Sequence, residues 1–159
     1  MAAKYSANAL QLIQPNGSAI FTASPVACNR GLIYHRDESG LFRLASPSVI
    51  TGGNLRRCCC SRMPTANYIV GFSGNISVPT GGTAEEIQLA LAIDGEIDPS
   101  SIMSFTPAAV DTAGSVSTQI VVAVPWICRC ASVSVRNVSA QAVQLENANI
   151  LFQYDGICR

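Results

Sequence analysis

Large apolar side chains alternate strictly with small or polar ones over residues 87–93 of this chain. The large ones all share one parity: Ile87, Leu89, Leu91 and Ile93. Such alternation places them on one face of a pleated strand and their neighbours on the other face. In a helix, at about 100° per residue, the same four side chains would lie on two opposite sides and form no apolar stripe. The pattern therefore predicts a half-buried β-strand.

Comparable alternation recurs along the rest of the chain and predicts about ten short strands, separated by turn signals about every 8–12 residues. Besides residues 87–93, the predicted strands cover residues 9–13, 19–22, 32–35, 41–44, 68–78, 102–106, 116–124, 132–136, 143–146 and 149–154. No segment carries a helical stripe, so the crossover helices that a parallel sheet requires are not predicted. The expected fold is all-β, an antiparallel jelly-roll sandwich.

The length of 159 residues suits one domain with a single core. Residues 1–8 are small and polar, which predicts a flexible N-terminal arm. We expect residues 9–159 to form a single jelly-roll domain. Within it, Pro25 is expected to end the second strand, and the turn pair Asp155–Gly156 is expected to close the last one.

The chain is poor in charged residues. Asp, Glu, Lys and Arg make up 13% of it, while hydrophobic residues make up 48%; a typical soluble domain contains about 25% charged residues. A chain with so few ionic groups cannot cover its surface with Lys and Glu. We expect it to expose many Ser, Thr, Asn and Gln side chains and to cover part of its surface with copies of itself. The composition therefore predicts an oligomer.

The few charges are distributed unevenly. Residues 1–62 contain seven basic and two acidic residues, whereas residues 63–159 contain three basic and eight acidic ones. Such halves attract each other within or between subunits, and the alternative is a basic patch that faces nucleic acid. Arg56, Arg57 and Arg62 would form that patch, but no aromatic residues for base stacking alternate with them. Because Arg is also favoured at protein interfaces, a contact with an acidic neighbour is the preferred interpretation.

Neither an export signal nor a membrane span is predicted. The first residues contain no apolar core of a signal peptide, and no run of about 18 apolar residues is long enough to cross a membrane. We therefore expect assembly in a cytoplasm, with the cysteines mostly as thiols. There are seven of them: Cys28, Cys58, Cys59, Cys60, Cys128, Cys130 and Cys158. A disulfide that forms after cell lysis, including one between subunits, stays an open alternative.

The cysteines and several acidic residues are potential metal ligands. Thiolates of Cys58–Cys60, Cys128 and Cys130 suggest a zinc or iron–sulfur site. Adjacent cysteines point in different directions in an extended chain, however, and there is no CxxC pair. A run of acidic residues lacks the ligand order of a calcium-binding EF-hand and is interpreted as an exposed strand end: Glu85, Glu86, Asp94, Glu96 and Asp98. No metal site and no cofactor is predicted.

His35 is the only histidine, so a Ser or Cys nucleophile would need it as the general base. Asp37 lies two residues away and is placed to orient it. No nucleophile-elbow motif surrounds any Ser, and a lone histidine in a hairpin is usually a surface or interface group. The sequence therefore predicts no catalytic residues and no enzymatic activity.

The order of these motifs is similar to that of the tumour necrosis factor and complement globular-head superfamily, whose members are ten-strand jelly rolls that form compact homotrimers. Four stretches carry the resemblance: Gly40–Ala45, Ala66–Val78, Glu86–Glu96 and Asn149–Asp155. In that superfamily the first and last strands lie side by side near the threefold axis. The resemblance therefore implies a homotrimer with Phe152 and Tyr154 in or near the subunit contact.

Charge-poor jelly rolls of this size without an export signal also resemble accessory virion proteins of bacteriophages, namely head decoration proteins, head fibres and tail-tip modules. That resemblance implies a structural role at a virion surface after assembly in the host cytoplasm. The implied partners are copies of the chain and other virion proteins, without nucleic acid or a membrane. The alternative is a receptor- or glycan-binding module at a fibre tip or bacterial surface. It requires a concave surface with aromatic side chains, and Trp126 is the only Trp.

Overall fold

Two antiparallel sheets pack face to face in the computed structural model, which describes residues 2–27, 31–36, 39–46, 65–125 and 130–158. The strands in chain order are β1 (Ala2–Ala7), β2 (Gln11–Ile13), β3 (Ala23–Val26), β4 (Ile33–His35), β5 (Phe42–Ala45), β6 (Thr65–Ser77), β7 (Ile87–Ile93), β8 (Glu96–Ile97), β9 (Met103–Phe105), β10 (Gly114–Pro125), β11 (Cys130–Asn137) and β12 (Val143–Cys158). A single 3₁₀ turn, Pro99–Ser101, lies between β8 and β9. The predicted all-β antiparallel jelly-roll sandwich is confirmed.

The first sheet has the strand order β10-β6-β12-β1-β3, with β2 added to β12, and the second has β4-β5-β11-β7-β8, with β9 added to β7. The strictly alternating strand β7 lies between β11 and the two short strands β8 and β9. Its residues Ile87, Leu89 and Leu91 are completely buried, as the alternation predicts. Ala90 and Ala92 on its other face are buried as well, so the prediction that this strand is only half-buried is wrong. The predicted hairpin of residues 32–35 and 41–44 is also confirmed, because β4 pairs with β5.

Aromatic rings join the two sheets at the core. Phe42 of β5 packs against Tyr5 of β1 and Phe152 of β12, with ring centroids 4.9 and 4.8 Å away. Phe21, on the segment between β2 and β3, approaches the same ring to 5.3 Å. Burial of a side chain of this size stabilises the fold by about 1.5–3 kcal/mol, and tilted ring pairs add to that. This cluster therefore holds the two sheets in one fixed arrangement.

The N-terminal residues form a strand, which differs from the flexible arm predicted over residues 1–8. β1 pairs with β12 along its whole length and with β3 on its other side. Ala3, Tyr5 and Ala7 point towards the core and are buried. Only Tyr5 among them is large, so the local apolar pattern is weak. The strand forms because its backbone pairs with β12, at the other end of the chain.

Residues 9–26 follow the prediction only in part. β2 is shorter than the strand predicted at residues 9–13. The strand predicted at residues 19–22 is wrong: Phe21 is buried, but this part of the chain is joined to β11 by an isolated bridge at Ser18. Pro25, which was expected to end that strand, lies inside β3. Proline is tolerated there because β3 is an edge strand of the first sheet, where a missing N–H leaves fewer partners unpaired.

β12 is one long strand where two were predicted, at residues 143–146 and 149–154. Its pairing with β6 shifts register between Glu146 and Asn149, so the extra residues bulge out of the ladder. Asn147 takes a positive φ of 52° at this point, a conformation that Asn tolerates better than most residues. The sequence pattern breaks at the bulge, while the strand itself continues.

The pair Asp155–Gly156 was predicted to close the last strand, and this is also wrong. The register shifts a second time between Tyr154 and Gly156, where Gly156 has a φ of 116°. The pair therefore forms a second irregularity inside the ladder, and β12 continues to Cys158.

No helix among the described residues is long and apolar enough to cross a membrane.

Candidate interaction surface

The outer face of the first sheet is formed by side chains that point away from the core on four neighbouring strands. Cross-strand pairing arranges them in two rows across β10, β6, β12 and β1: Gln119, Gly71, Leu151 and Lys4 in one row, and Val121, Ile69, Gln153 and Ala2 in the next. Neighbouring strands lie about 4.8 Å apart, so the two rows form one continuous surface. We call these eight residues the neutral face.

The neutral face carries a single charge, that of Lys4. Neither β6 nor β10 contains a charged residue anywhere along its length. Two large apolar side chains nevertheless point into solvent, with Val121 62% exposed and Leu151 42% exposed. Amide and apolar side chains thus stand side by side on a broad sheet surface, which is the composition of surfaces that proteins bury against each other.

A shallow depression of about 680 Å³ lies at the centre of the neutral face. Its floor is Gly71, where an added Cβ would meet no atom within 4 Å. Ile69, Leu151, Gln119 and Gln153 are among the residues that surround it. These groups offer apolar contact and amide hydrogen bonds, and Ser73, Ser117 and Thr118 add hydroxyl groups to the lining. The depression is therefore suited to receiving a side chain of another protein molecule.

β10 forms one edge of the first sheet, next to the neutral face. It pairs with β6 on one side, and no strand of the described residues pairs with its other side. Natural edge strands are usually protected against further pairing by charges, proline or short length. β10 has 12 residues and no charge, and its proline stands only at the end, Pro125. An edge of this kind favours coverage by a neighbouring molecule.

The structure corrects the placement of Phe152 in or near the subunit contact, while that of Tyr154 stays a prediction. β1 and β12 do lie side by side, as the resemblance implied. Phe152, however, is completely buried in the core, and Tyr154 is half-buried against Tyr68, with ring centroids 5.4 Å apart. The alternate residues of β12, Leu151 and Gln153, face outwards instead. The sequence did not separate the two faces because Ile150, Leu151 and Phe152 are all apolar.

The side chain of His35 is held by one hydrogen bond and two ring contacts. Its Nε2 lies 2.9 Å from the backbone oxygen of Ser39, and because a carbonyl accepts, Nε2 donates. The imidazole stacks on Phe42 with ring centroids 4.4 Å apart and approaches Tyr5 to 4.9 Å. These contacts fix the hairpin of β4 and β5 onto the core. Asp37, the proposed orienting acid, lies outside the described residues.

The acidic residues considered as calcium ligands hold turns in place. Asp98 caps the 3₁₀ turn by accepting from the Ser100 N–H at 2.9 Å. Asp94 accepts from the Ser132 N–H at 2.7 Å. Glu86 accepts from the Gln88 side chain at 2.7 Å, and this bond, followed by one with Ser104, lowers the pKa of the Glu86 carboxyl. Within the described residues no three His, Cys, Asp or Glu side chains converge.

Several candidate residues from the sequence fall outside the described part of the chain: Cys28, Cys58, Cys59, Cys60, Cys128, Arg56, Arg57, Arg62 and Trp126. Cys130 begins β11 as an exposed free thiol, and Cys158 ends β12. The neutral face was not found by sequence reasoning. Its signal was the absence of charge on both parities of β6 and β10, which is visible only when the two strands are known to be neighbours.

The chain matches no protein-family model and no curated protein sequence. Among solved structures, Eiger TNF from S. frugiperda is similar with a TM-score of 0.55 and 12% identity, over 97% of this chain and 91% of that one. The isomalto-dextranase of Arthrobacter globiformis T6 complexed with panose has a TM-score of 0.36 and 14% identity, over 94% of this chain and 23% of that one. The similarity to Eiger TNF confirms the predicted tumour-necrosis-factor-like jelly roll, and at this identity it shows the fold alone.

Proposed function

We propose that this chain is a non-enzymatic structural protein that assembles as a homotrimer through its neutral face. The observation that carries the proposal is the neutral face, which has Lys4 as its single charge and leaves Val121 and Leu151 exposed. Burial of apolar surface is favourable by about 25 cal/mol per Å². Because few charges have to be desolvated on this face, the desolvation penalty that opposes association is small.

Two different surfaces of the chain are complementary in this assembly. The uncharged edge β10 of one copy lies against the neutral face of the next, where the depression above Gly71 receives an apolar side chain. A contact between two different patches is heterologous, and it forms a closed ring when the rotation between copies is right. The number three comes from the superfamily that the chain resembles, whose jelly rolls form compact homotrimers.

We also propose that the trimer is a component of a virion surface, as a head decoration or fibre protein. Support comes from the composition, since a chain with 13% charged residues favours contacts with its own copies and with other particle proteins. Antibody labelling of particles from the native source, viewed by negative-stain electron microscopy, tests this location. We expect label at regular positions on the particle. Protein found only in the particle-free fraction would contradict it.

Sedimentation equilibrium tests the assembly. We expect a mass of about 50 kDa at micromolar concentration, three times the 16.7 kDa of the chain. Leu151→Glu places an unpaired carboxylate in the buried contact, which costs about 3 kcal/mol or more and weakens assembly about a hundredfold or more. A wild-type species of 16.7 kDa under these conditions would rule the proposal out.

Leu41→Glu is the matched control. Leu41 is 46% exposed, close to the 42% of Leu151, but it precedes β5 in the second sheet. The same substitution there adds the same charge to a similarly exposed leucine, so we expect the assembled mass to be unchanged. If both variants dissociate alike, charge alone drives the effect and the neutral face is not the contact.

The alternative function, a receptor- or glycan-binding module, is favoured by one separate observation. The outer face of the second sheet contains polar depressions of about 430 and 440 Å³ that meet at Leu41. This surface lies on the sheet opposite to the neutral face, so an assembled particle keeps it exposed. A glycan array probed with the assembled protein tests the alternative, and a protein that binds no glycan would count against it.

A further inference from the structure

The outer face of the second sheet places four chemically different side chains in one row. Cross-strand pairing aligns Tyr34 of β4 with Arg43 of β5, and Arg43 with Ser132 of β11. Asp94, just after β7, continues the row: its N–H donates to the Ser132 oxygen at 2.9 Å, and its Oδ1 accepts from the Ser132 N–H at 2.7 Å. An aromatic ring, a guanidinium, a hydroxyl and a carboxylate are thus neighbours across four segments of the chain.

A second arginine stands further along the same face. Arg136 is on β11, four residues beyond Ser132, so the two rows are about 13 Å apart along the strand. Its neighbour across the isolated bridge is Ser18. Between the rows the sheet surface is lined by small residues, among them Ser134 and Gly95, and by the exposed side chain of Leu41. We call this surface, from Tyr34, Arg43, Asp94 and Ser132 to Arg136, the polar face.

Two charged groups of the polar face, Asp94 and Arg136, are held in position and still have bonding capacity. Asp94 has a φ of 51° in a tight turn, and its Oδ1 accepts from both the N–H and the hydroxyl of Ser132. Its Oδ2 accepts no hydrogen bond from the described residues. Nη1 of Arg136 donates to the Gly95 oxygen at 3.2 Å, and the described residues accept no other hydrogen bond from this guanidinium. Arg43 makes no ion pair within the same part of the chain.

These groups match the functional groups of a saccharide. A guanidinium binds a carboxylate through two parallel hydrogen bonds, and a fixed carboxylate oxygen accepts from sugar hydroxyls. The ring of Tyr34 is 61% exposed and offers a flat apolar surface to the C–H face of a sugar. The polar face has two positive charges, Arg43 and Arg136, against the single carboxylate of Asp94. The two arginines are further apart than the length of one sugar ring.

We propose that the polar face binds an acidic oligosaccharide, one whose carboxylate pairs with Arg136 while Asp94 accepts from its hydroxyls. This inference rests on the alternative, binding-module function and specifies its site and its ligand class. Uronates and sialates share the required chemistry of a carboxylate beside several hydroxyls. The polar face is separate from the neutral face, so binding and trimer assembly are independent.

Isothermal titration of the assembled protein with two matched pairs of probes tests the ligand class. The first pair is trigalacturonic acid and its methyl ester, and the second is sialyllactose and lactose. We expect the acidic member of one pair to bind at least tenfold more tightly than its neutral partner, and the pair that responds identifies uronate or sialate. Affinity should fall as salt rises from about 0.05 to 0.5 M, because the Debye length shortens.

Two variants test the site. Arg136→Gln should weaken binding at least tenfold, whereas Lys4→Gln, the same loss of one charge on the neutral face, should leave it unchanged. Asp94→Asn keeps the acceptor for Ser132 and tolerates the positive φ, so the fold is retained. It should weaken saccharide binding because an acceptor of hydroxyl hydrogen bonds is lost. At a plain anion site the same change would tighten binding by removing a repulsive charge, and sodium sulfate serves as the probe for that case.

The outcomes separate the site from the function. Equal affinity for acidic and neutral probes, tighter binding by the Asp94→Asn variant, or binding unaffected by Arg136→Gln would overturn the inference while the binding-module function stands. Failure of every glycan on the array to bind would overturn both. Thermal unfolding of each variant confirms that a loss of affinity is not a loss of structure.

Discussion

Asn137 ties three segments of the chain together through one buried amide. Its side chain is completely buried. Nδ2 donates to the Ile13 oxygen at 3.0 Å and to the Gln141 oxygen at 2.8 Å, and Oδ1 accepts from the Ser139 N–H at 2.8 Å. The end of β2, the end of β11 and the loop before β12 are therefore held by one side chain. An apolar residue of the same size would leave one buried backbone group, the Ile13 oxygen, and two partly buried ones without this partner.

Asn137→Ala should destabilise the protein by about 2–4 kcal/mol, because it removes three hydrogen bonds and leaves the Ile13 oxygen buried without its partner. Urea unfolding at a fixed protein concentration measures the change. Asn8→Ala, at an exposed asparagine next to β1, is the control and should change the free energy of unfolding by less than about 0.5 kcal/mol. Equal effects of the two substitutions would show that the buried amide has no special role.

Gln88 controls the ionisation of Glu86. The Gln88 amide donates to the carboxylate at 2.7 Å, and Ser104 adds a second hydrogen bond, so the pKa of Glu86 is below its ordinary value. A depressed folded-state pKa stabilises the protein above the unfolded-state pKa, and this contribution is lost as pH falls through the folded-state value. Gln88→Ala should raise the Glu86 pKa, and Ser104→Ala should raise it less. NMR titration of the Glu86 side-chain carboxyl carbon measures both changes. An unchanged Glu86 pKa in Gln88→Ala would show that the Gln88 hydrogen bond does not lower it.

β1 shows how a secondary-structure element depends on its partners. Its sequence consists of Ala, Lys, Tyr and Ser, which gives it a weak propensity for any regular structure. In the fold it lies between β12 and β3, with Tyr5 packed against the aromatic cluster. The strand therefore contributes to the core although it begins at the second residue of the chain.

Tyr5→Ala should destabilise the protein by about 3–5 kcal/mol, because it removes a ring that contacts Phe42 and Phe152 in the core. Tyr34→Ala is the matched control, since it removes the same ring from a side chain that is 61% exposed. We expect the control to change the free energy of unfolding by less than about 0.5 kcal/mol. Equal effects of the two substitutions in urea unfolding would indicate that β1 is a loosely attached arm.

The outer faces of the two sheets differ in chemistry. The first sheet presents the neutral face and an uncharged edge, and the second presents the polar face with its arginines and a carboxylate. The proposed assembly and the proposed ligand binding therefore use opposite sides of the sandwich. Two forces compete as explanations of assembly: burial of the neutral face, and attraction between the basic first part of the chain and the acidic remainder.

Salt distinguishes the two forces. Contacts through the neutral face should persist when sodium chloride is raised to about 1 M, where charges are screened beyond about 3 Å. We expect the sedimentation mass to stay near three chains. Dissociation into monomers at high salt would show instead that attraction between the oppositely charged halves drives assembly. Low-salt sedimentation of the same preparation is the reference.

Much of the architecture was predictable from local pattern. Ile87, Leu89 and Leu91 alternate with smaller residues, and this strand, its buried face and the hairpin of β4 and β5 were all anticipated. The buried and the exposed face of such a strand can be predicted wherever one face is apolar and the other is not. The pattern failed where both faces are apolar, as at Ile150 and Leu151, and where bulges interrupt the alternation without ending the strand.

By itself, the sequence determined the fold class, because hydrophobic periodicity and turn residues act over a few neighbouring positions. Only the tertiary structure decided which strands are neighbours, that the N-terminal residues join the first sheet, and which side of β12 faces solvent. The two surfaces depend on the same information. The row of Tyr34, Arg43, Ser132 and Asp94 comes from four distant segments, and it exists only after long-range strand pairing has set their register.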